Sequence, residues 1–375
     1  MPHNDEFADL VGDSPSTYEP SHLCNKTVKN VFPIITNTPY RLAIIGEAPG
    51  SDEISSGIPF FGASGRELNK ILDHAKLLRD ACFVGNICQH QPPGNKIANF
   101  DWNGVEIQSG LAQLKHDLHN FKPNLIWCLG GSSLHAFRCG SLDSPPKRKT
   151  KEGPQFVFPN SISDWRGSLF ASHLDSPSPG TKAVASFHPA AALRNYEYIP
   201  LILLDACQKV RKESEFPELN LPQRRLLVNL SIDEILAELR KVKLEKPLIS
   251  VDIEGGVGSL SCLSIASSAT FSFIIPFTRM DGTSLWDLPD ECLIWRHTCS
   301  VLSDPTIPKI FQNGLYDRFV LQFSYGITVR GCVEDTMLKS WELYPELPKG
   351  LGFLASIFTN EPYWKEERIQ AEMKT

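Results

Sequence analysis

The sequence has no long apolar run, no close pair of cysteines and no excess of positive charge. None of its hydrophobic stretches approaches the ~20 residues that a membrane-spanning helix needs, and residues 1–38 lack the apolar core of a signal peptide. The ten cysteines include no C-x-x-C pair, which predicts reduced thiols in an intracellular, cytoplasmic protein. The net charge of −6 excludes a protein that coats nucleic acid through its overall field. These absences leave a globular chain whose ligands bind in local grooves.

Length and composition predict two domains rather than one. A chain of 375 residues, with 42% hydrophobic and 21% charged residues, can bury a core in each half. We predict a flexible amino-terminal arm over residues 1–38, a first domain over 39–212, a linker over 213–226 and a second domain over 227–375. The linker is distinguished by charge and proline without apolar periodicity.

Short apolar runs alternate with helical patterns in the first domain. Apolar runs lie at Arg41–Ile45 and Leu125–Leu129, and helical patterns at Arg66–Leu78 and Leu111–Asn120. Strands that alternate with helices predict an α/β fold with a mainly parallel sheet covered on both faces. Ligands of such sheets bind at the carboxyl ends of the strands, and the polar loops of this domain follow those ends.

The loop after the first strand is rich in glycine and proline. It runs through Gly46–Gly50 (GEAPG) and continues to Gly57–Gly65 (GIPFFGASG), where a helix begins. Backbone N–H groups at such a helix start can face a phosphate or a carbonyl group. Taken alone, this loop fits a site for any phosphate-bearing molecule as well as it fits one particular enzyme.

Two further segments narrow the interpretation. Asn86 ends the second strand and precedes Pro92–Asn95 (PPGN), and His188–Arg194 (HPAAALR) follows another strand. With the glycine-rich loop and the turn Asp164–Gly167, this ordered set resembles the family-4 uracil-DNA glycosylases and their wider superfamily. The resemblance covers about Tyr40–Lys209. It implies a three-layer αβα fold and an enzyme that excises uracil from DNA.

The resemblance also implies a role for each site residue. Such an enzyme must flip the base out of the stack, and Phe60 is the ring on which a flipped uracil would stack. The Asn86 amide would donate to uracil O4 and accept from N3–H, a pairing that cytosine does not offer. His188 would donate to uracil O2 and stabilise the leaving anion. The first loop supplies the remaining residues, with Gly46 and Ala48 binding substrate and Glu47 and Glu53 as catalytic acids. Either acid could stabilise the sugar cation or hold the attacking water.

One feature of that family is missing from the sequence. Family-4 enzymes hold a four-iron cluster on four cysteines, two near the amino terminus, one just before the PPGN loop and one on the following helix. This chain keeps only Cys24 near the terminus, and the other two positions hold His90 and Gly110. Because one thiolate cannot hold such a cluster, we predict that the protein has no iron–sulfur centre.

The second half carries acidic residues in a pattern suited to divalent metals. Asp252 and Glu254 lie two residues apart at a strand end, so their side chains point to one face of the sheet. Asn313, Tyr316 and Asp317 open a helical stretch further along the chain. Acids from a strand and a helix suit two Mg²⁺ or Mn²⁺ ions ~4 Å apart, which can promote phosphodiester cleavage. A D-x-E pair alone would be no more than a solvated strand end.

Together these positions resemble the first two motifs of the DEDD 3′–5′ proofreading exonucleases, which have an RNase H-like fold. The resemblance implies that Asp252, Glu254 and Asp317 are catalytic metal ligands and that Asn313 and Tyr316 bind substrate.

The stretch that follows is similar to the proofreading domain of phage-type family-A DNA polymerases. There Asp335 would be the next acid after Asp317. The third motif of the family, Y-x-x-x-D, is matched formally by Tyr363 with Glu367, which has the wrong acid and comes too early. We therefore predict an exonuclease domain truncated before its third motif.

The sequence as a whole predicts a uracil-DNA glycosylase joined to a 3′–5′ exonuclease domain of a DNA polymerase. The predicted partners are uracil-containing DNA, single-stranded or mismatched, and a family-A polymerase domain in cis or in trans, in the host cytoplasm if a phage encodes the chain. The main alternative is a non-catalytic, uracil-sensing module with an inactive exonuclease fragment. A third interpretation makes the second half a working nuclease without its third motif.

Overall fold

The computed structural model describes residues 27–151, 153–279 and 281–364. These residues form a five-stranded sheet in the first half of the chain, a six-stranded sheet in the second half and a separate two-stranded hairpin. None of the helices in these ranges is both long enough and apolar enough to cross a membrane. Most of the predicted arm, residues 1–26, lies outside the described residues.

The described part of the first half contains seven strands and eight short to medium helices. The strands are β1 (Leu42–Gly46), β2 (Phe83–Asn86), β3 (Leu125–Leu129), β4 (Lys147–Thr150), β5 (Gly153–Phe156), β6 (Leu169–Ala171) and β7 (Lys182–Ser186). The helices are α1 (Ser51–Ser56), α2 (Ala63–His74), α3 (Val105–Phe121), α4 (Gly131–Arg138), α5 (Ile162–Trp165), α6 (Pro189–Ala192), α7 (Tyr198–Leu204) and α8 (Arg211–Glu213). A π-helical turn, Asp205–Val210, joins α7 to α8.

The central sheet of this half has the strand order β2-β1-β3-β7-β6. All pairs are parallel except β6 with β7. Every residue of β1 is buried, because successive side chains enter cores on opposite faces of the sheet. Leu42 and Ile44 pack into one core, whereas Ala43 and Ile45 pack into the other. The result is the predicted three-layer αβα domain.

The second half alternates strands and helices around one mixed sheet. Its strands are β8 (Arg225–Leu227), β9 (Ile249–Gly256), β10 (Ser259–Ser268), β11 (Phe271–Pro276), β12 (Lys309–Phe311) and β13 (Cys332–Asp335). Its helices are α9 (Ile232–Glu245), α10 (Leu288–Leu302), α11 (Gly314–Tyr325), α12 (Thr336–Leu343) and α13 (Leu351–Phe358).

The strand order in this sheet is β13-β12-β9-β10-β11-β8. The run β9-β10-β11 is antiparallel, and β12 lies parallel to β9. Helix α9 begins where Ser231 and Glu234 form a reciprocal capping box. Its inward-facing residues, such as Leu239 and Val242, pack on the sheet. This α/β arrangement agrees with the RNase H-like fold that the sequence resemblance implied.

Two local features differ from what the sequence pattern indicates. Residues 141–159 have the composition of an exposed loop, but β4 and β5 form a hairpin there, and Lys147 Nζ anchors it by donating to the carbonyl of Phe100 at 2.6 Å. Residues near the carboxyl end of the second half return to the first half. There Leu347 and Ile357 join the core that also contains Leu201 and Val210.

Candidate active site

Four parallel strand ends meet at one edge of the first sheet. The chain leaves β1 at Gly46, β2 at Asn86, β3 at Leu129 and β7 at Ser186. The loops beyond these ends surround a cavity of about 430 Å³. Its lining includes the predicted residues Glu47, Ala48, Glu53, Phe60, Asn86 and His188. The structure therefore brings together side chains that are up to 141 positions apart in the sequence.

The backbone of Gly46 lies directly against the side chains of Asn86 and Phe60. A Cβ atom added at Gly46 would lie 2.5 Å from Asn86 Oδ1 and 2.5 Å from Phe60 Cζ. Both neighbours are buried, so neither could move away easily. Glycine is thus required here to let the amide and the ring approach the backbone.

Phe60 has a left-handed backbone conformation, with φ of 52°. Gly65 makes this possible, because a Cβ atom there would meet the Phe60 carbonyl at 1.6 Å. The Phe60 ring lies beside the His188 imidazole, with ring centroids 5.4 Å apart and an interplanar angle of 20°. An uncommon backbone conformation that fixes one aromatic ring in a cavity is typical of a functional position.

A hydrogen bond fixes which nitrogen of the neutral His188 ring carries the proton, and burial keeps the ring neutral. The Ala190 N–H, which can only donate, lies 3.1 Å from His188 Nδ1, so Nδ1 accepts. The neutral ring must then carry its proton on Nε2. Burial, with a contribution from Arg194, lowers the pKa of His188 to about 4. At neutral pH the imidazole is therefore an uncharged donor.

The two acids of the first loop have different partners. Ser132 Oγ donates to Glu47 Oε2 at 2.5 Å. Burial raises the pKa of Glu47 above its usual value, although Ser132 and Arg194 oppose that shift. Glu53 Oε2 instead accepts from the Gly50 N–H at 2.6 Å and closes the turn into α1. Glu53 therefore stabilises its own loop, whereas Glu47 is hydrogen-bonded to Ser132 of α4.

Sequence reasoning missed Ser132 as a site residue. It lies in the first turn of α4, directly after β3, within the run Gly130-Gly131-Ser132. Glycines after a buried strand were a signal that another strand end opened into the site. Arg194 belongs to the HPAAALR segment, but the sequence did not indicate that it lowers the pKa of both Glu47 and His188.

The residues at the family's cluster positions do not fit an iron–sulfur cluster. Cys24 lies outside the described residues, and His90 stands before the PPGN loop. A Cβ atom at Gly110 would lie 2.4 Å from the Ile87 carbonyl oxygen, so no side chain has room there. Burial raises the pKa of the nearby Cys88 thiol to about 12, and its Sγ donates to the carbonyls of His90 and Glu106 at 3.4 Å.

Amide and carboxylate side chains form hydrogen bonds with one another near these positions. Asn30 Nδ2 donates to Asp117 Oδ2 at 2.8 Å, and Gln113 Nε2 donates to Asp117 Oδ1 at 2.8 Å. Asn30 Oδ1 in turn accepts from the backbone N–H of Asn86 at 3.4 Å. Asn30 is thus tied to α3 and to the end of β2 by hydrogen bonds.

The acids of the second half lie at the junction of β9 and α11. Asp317 Oδ1 accepts from the Ile253 N–H at 3.2 Å. Burial raises the pKa of Asp317 to about 6, with Asp252 and Asp335 adding to the shift. Burial and then Glu254 raise the pKa of Asp252. The charge of Asp252 therefore interacts with Asp317, and that of Glu254 interacts with Asp252.

The predicted substrate residues of this half stand beside them. Asn313 caps α11 with φ of 62°, and Tyr316 Oη donates to the Gly255 carbonyl at 3.1 Å. Asp335 accepts from four backbone N–H groups, those of Asn313, Gly314, Met337 and Leu338, at 2.7–3.3 Å. Asp335 therefore caps α12 and fixes the start of α11. Tyr363 packs against Trp165 of the first half, with ring centroids 5.9 Å apart.

Within the described ranges, one set of three potential ligand side chains has its ligand atoms within 4.8 Å of one another. That set is His135, Cys139 and Asp143 rather than the acids of the second half. His135 Nε2 lies 2.6 Å from the Asp143 carbonyl oxygen, to which it must donate. This nitrogen has no lone pair left for a metal, so only Nδ1 of the ring could act as a ligand.

Comparison with known proteins gives two sets of similarities. Residues 33–211 match the family model described as Uracil DNA glycosylase superfamily. The type-4 uracil-DNA glycosylase of Thermotoga maritima is 30% identical over 193 residues, which cover 51% of this chain and 85% of that enzyme. That of Archaeoglobus fulgidus is 28% identical over 175 residues, 45% of this chain and 75% of that enzyme.

Solved structures supply the second set. The catalytic core of RRP6 from Trypanosoma brucei is 22% identical, with a TM-score of 0.28, over 37% of this chain and 36% of that one. The EXD2 exonuclease domain soaked in Mn and GMP is 24% identical, with a TM-score of 0.24, over 37% of this chain and 71% of that one.

Proposed function

The chain belongs to the uracil-DNA glycosylase superfamily, and we propose that it excises uracil from DNA. One observation carries the proposal: a ring, an edge-reading amide, a neutral imidazole donor and an acid surround a single cavity of about 430 Å³. A flipped base needs a stacking surface and hydrogen bonds to its edge. Phe60 and Asn86 supply these two functions. Flipping costs least in single-stranded or mismatched DNA, so those are the favoured substrates.

The chemical step separates charge along the N-glycosidic bond. The electron pair of that bond stays on uracil, and water adds to the sugar carbon that loses it. His188 Nε2–H donates to uracil O2, where negative charge develops, and a fixed donor of this kind stabilises the transition state. We assign Glu47 to the sugar cation and the attacking water. Glu53 keeps the loop in place through Gly50.

Asn86→Asp is expected to lower uracil excision about tenfold or more. The carboxylate has no donor for O4, and loss of one buried hydrogen bond costs about 1–3 kcal/mol. Because a carboxylate can still accept from the cytosine amino group, the ratio of uracil to cytosine excision should fall as well. Single-turnover rates on two oligonucleotides that differ only in the target base measure both effects. Asn69→Asp makes the same change at an exposed position of α2 and should leave both rates unchanged.

We further propose that the β4–β5 hairpin holds the DNA backbone beside the cavity. Arg148 and Lys149 are exposed on it. Lys96, which follows cavity residue Asn95, lies next to the hairpin, with its Nζ 3.7 Å from a Cβ built at Gly153. A net charge of −6 makes such a local basic surface necessary for binding a polyanion.

Replacing Arg148 and Lys149 together by glutamine should weaken DNA binding and flatten its dependence on salt. Each lost phosphate contact reduces the slope of log K against log[salt] by about 0.7–0.9. The expected change is therefore about 1.5 for the pair, measured by titration at several salt concentrations. The matched control replaces Lys76 and Lys122, which are exposed where the chain approaches the opposite ends of β2 and β3. An unchanged slope in the hairpin variant would exclude this surface from the DNA interface.

For the second half we propose the front of a 3′–5′ proofreading exonuclease of a phage-type family-A DNA polymerase. Asp252, Glu254 and Asp317 offer only oxygen ligands, which fit Mg²⁺ or Mn²⁺. Such ions would supply the activation of water for phosphodiester cleavage. Tyr363, the formal match to the tyrosine of the third motif, packs against Trp165 of the first half. We therefore expect metal binding with little cleavage.

Metal binding by these acids should depend on pH in a defined direction. The folded-state pKa of Asp317, about 6, lies above the ordinary value of 3.8, so the carboxylate is protonated in acid and charged above that point. Calorimetric titration with Mn²⁺ should show weak binding at pH 7.5 that is lost at pH 5. Asp317→Asn should remove it at both values. Elemental analysis of the same preparation should show no stoichiometric iron, since the cluster ligands are absent.

A further inference from the structure

Eleven residues of the second half, 351–361, lie against the first half, and we name them the clamp. The clamp comprises α13 and the three residues that follow it. Arg224, which directly precedes β8 of the second half, donates two hydrogen bonds of 2.7 Å to the Glu361 carboxylate at the end of the clamp. Asn360 Nδ2 donates to Glu213 Oε1 at 3.0 Å. Ile357 is 5% exposed and packs into the first core.

The clamp supplies most of the partners of a buried arginine. Arg166 is 1% exposed, and its Nε and one terminal nitrogen have no hydrogen-bond partner in the described part of the chain. The other terminal nitrogen donates to Ser356 Oγ at 3.0 Å and approaches Asp205 Oδ1 at 3.4 Å. The guanidinium also lies over the Phe353 ring, 4.8 Å from its centroid. Two of these three contacts come from the clamp.

Ser356 is well suited to this role. Its hydroxyl donates to the Phe353 carbonyl within α13 at 2.6 Å, so a lone pair of Oγ is directed to Arg166. Lys209 strengthens the same junction by donating to the carbonyls of Gly167, Ser356 and Thr359. A Cβ atom at Gly167 would lie 2.5 Å from the Ser356 carbonyl oxygen, so the two backbones are in close contact.

A continuous series of hydrogen bonds leads from this junction to the catalytic strand end. Asp205, the acidic partner of Arg166, accepts from Ser186 Oγ at 2.8 Å. Ser186 Oγ also accepts from Trp127 Nε1 at 2.9 Å. Ser186 is the last residue of β7, two positions before His188. The turn that carries Arg166 is joined to the same strand, because the Gly167 N–H donates to the Ala185 carbonyl at 2.7 Å.

We propose that Ser356 is a positioning residue for uracil excision: from the second half, it holds His188 in place through Arg166, Asp205 and Ser186. The inference rests on the proposed function of His188 and goes beyond it by making excision depend on the other half of the chain. Without the Ser356 acceptor, the Arg166 guanidinium would keep one weak hydrogen bond in a buried place and would shift toward another partner. A donor displaced by a fraction of an ångström stabilises the leaving anion less.

The test compares full-length Ser356→Ala with Ser356→Thr and Thr359→Ala. The first removes the acceptor for Arg166, and the second restores a hydroxyl. The third removes a hydroxyl from the same clamp but keeps the carbonyl that Lys209 uses. Single-turnover excision rates, DNA affinity and thermal unfolding are measured for each. We expect about a tenfold lower rate for Ser356→Ala with unchanged DNA affinity, substantial recovery in Ser356→Thr, and wild-type behaviour in Thr359→Ala.

Other outcomes contradict the proposal in distinguishable ways. A wild-type rate in Ser356→Ala would show that the clamp does not act on His188, while leaving the proposed function intact. Equal losses of excision rate in Ser356→Ala and Thr359→Ala, or no recovery of the rate in Ser356→Thr, would show that the clamp contributes only general packing. A wild-type chain that releases no uracil would remove the proposed function and this inference with it.

Discussion

Replacing His188 by alanine should lower the rate of uracil excision about 10²–10³-fold, the usual cost of losing one preorganised donor at a developing anion. The Ala190 N–H fixes the proton on Nε2, and burial keeps the ring uncharged at neutral pH. The loss should fall on the single-turnover rate rather than on DNA affinity, because the donor acts on charge that appears only in the transition state.

The pH dependence gives a second check on His188. Its folded-state pKa of about 4 lies below the ordinary value of 6.5, so the native state is fully stabilised above pH 6.5 and loses stability as the pH falls toward 4. Excision should therefore show no ionisation of this residue between pH 5 and 8. His116→Ala, an exposed substitution on α3, is the control and should match the wild type. A His188→Ala rate within threefold of the wild type would contradict the assigned role.

Gly46→Ala should be almost as damaging, although glycine carries no functional group. The added methyl carbon would lie 2.5 Å from both Asn86 Oδ1 and Phe60 Cζ, and both side chains are buried. Either the amide or the ring must move, so the base-reading geometry is lost. Because displacement of about 1 Å can cost roughly 10²-fold in rate, we expect a fall of about that size in single-turnover excision.

Gly50→Ala provides the matched comparison for Gly46→Ala. It lies in the same loop, but its added Cβ would approach only Glu53 Oε2, at 3.8 Å. That variant should keep most of the activity, and its thermal unfolding should resemble that of the wild type. Comparable losses in the two variants would indicate that the loop tolerates no side chain at all, and the steric argument for Gly46 would fail.

Much of the first-half site could be predicted because strand ends are visible in the sequence. Short apolar runs that stop at Gly46 and Asn86 predict parallel strands, and parallel strands bring their carboxyl ends to one edge of the sheet. The strand end after Leu129 was visible in the same way, but the hydrogen bond from Ser132 to Glu47 was not. Ser132 belongs to no recognisable motif, and this hydrogen bond depends on how α4 packs behind β3.

The clamp was not predictable for a related physical reason. Its key contact joins Arg166 to Ser356, 190 positions apart, and no local periodicity records which face of α13 meets the first half. The resemblance implied Asp335 as the next acid after Asp317, but it did not indicate that this carboxylate accepts from four backbone N–H groups and caps α12.

The most direct test of the central claim is to count the products of wild-type protein incubated with an excess of a single-stranded oligonucleotide that contains one uracil. Mass spectrometry measures free uracil, and alkali cleavage measures abasic sites. The cavity with its neutral donor predicts several uracils released per chain, each matched by one abasic site. Tight, uracil-dependent binding with neither product would contradict the account and would make the first half a uracil sensor instead of an enzyme.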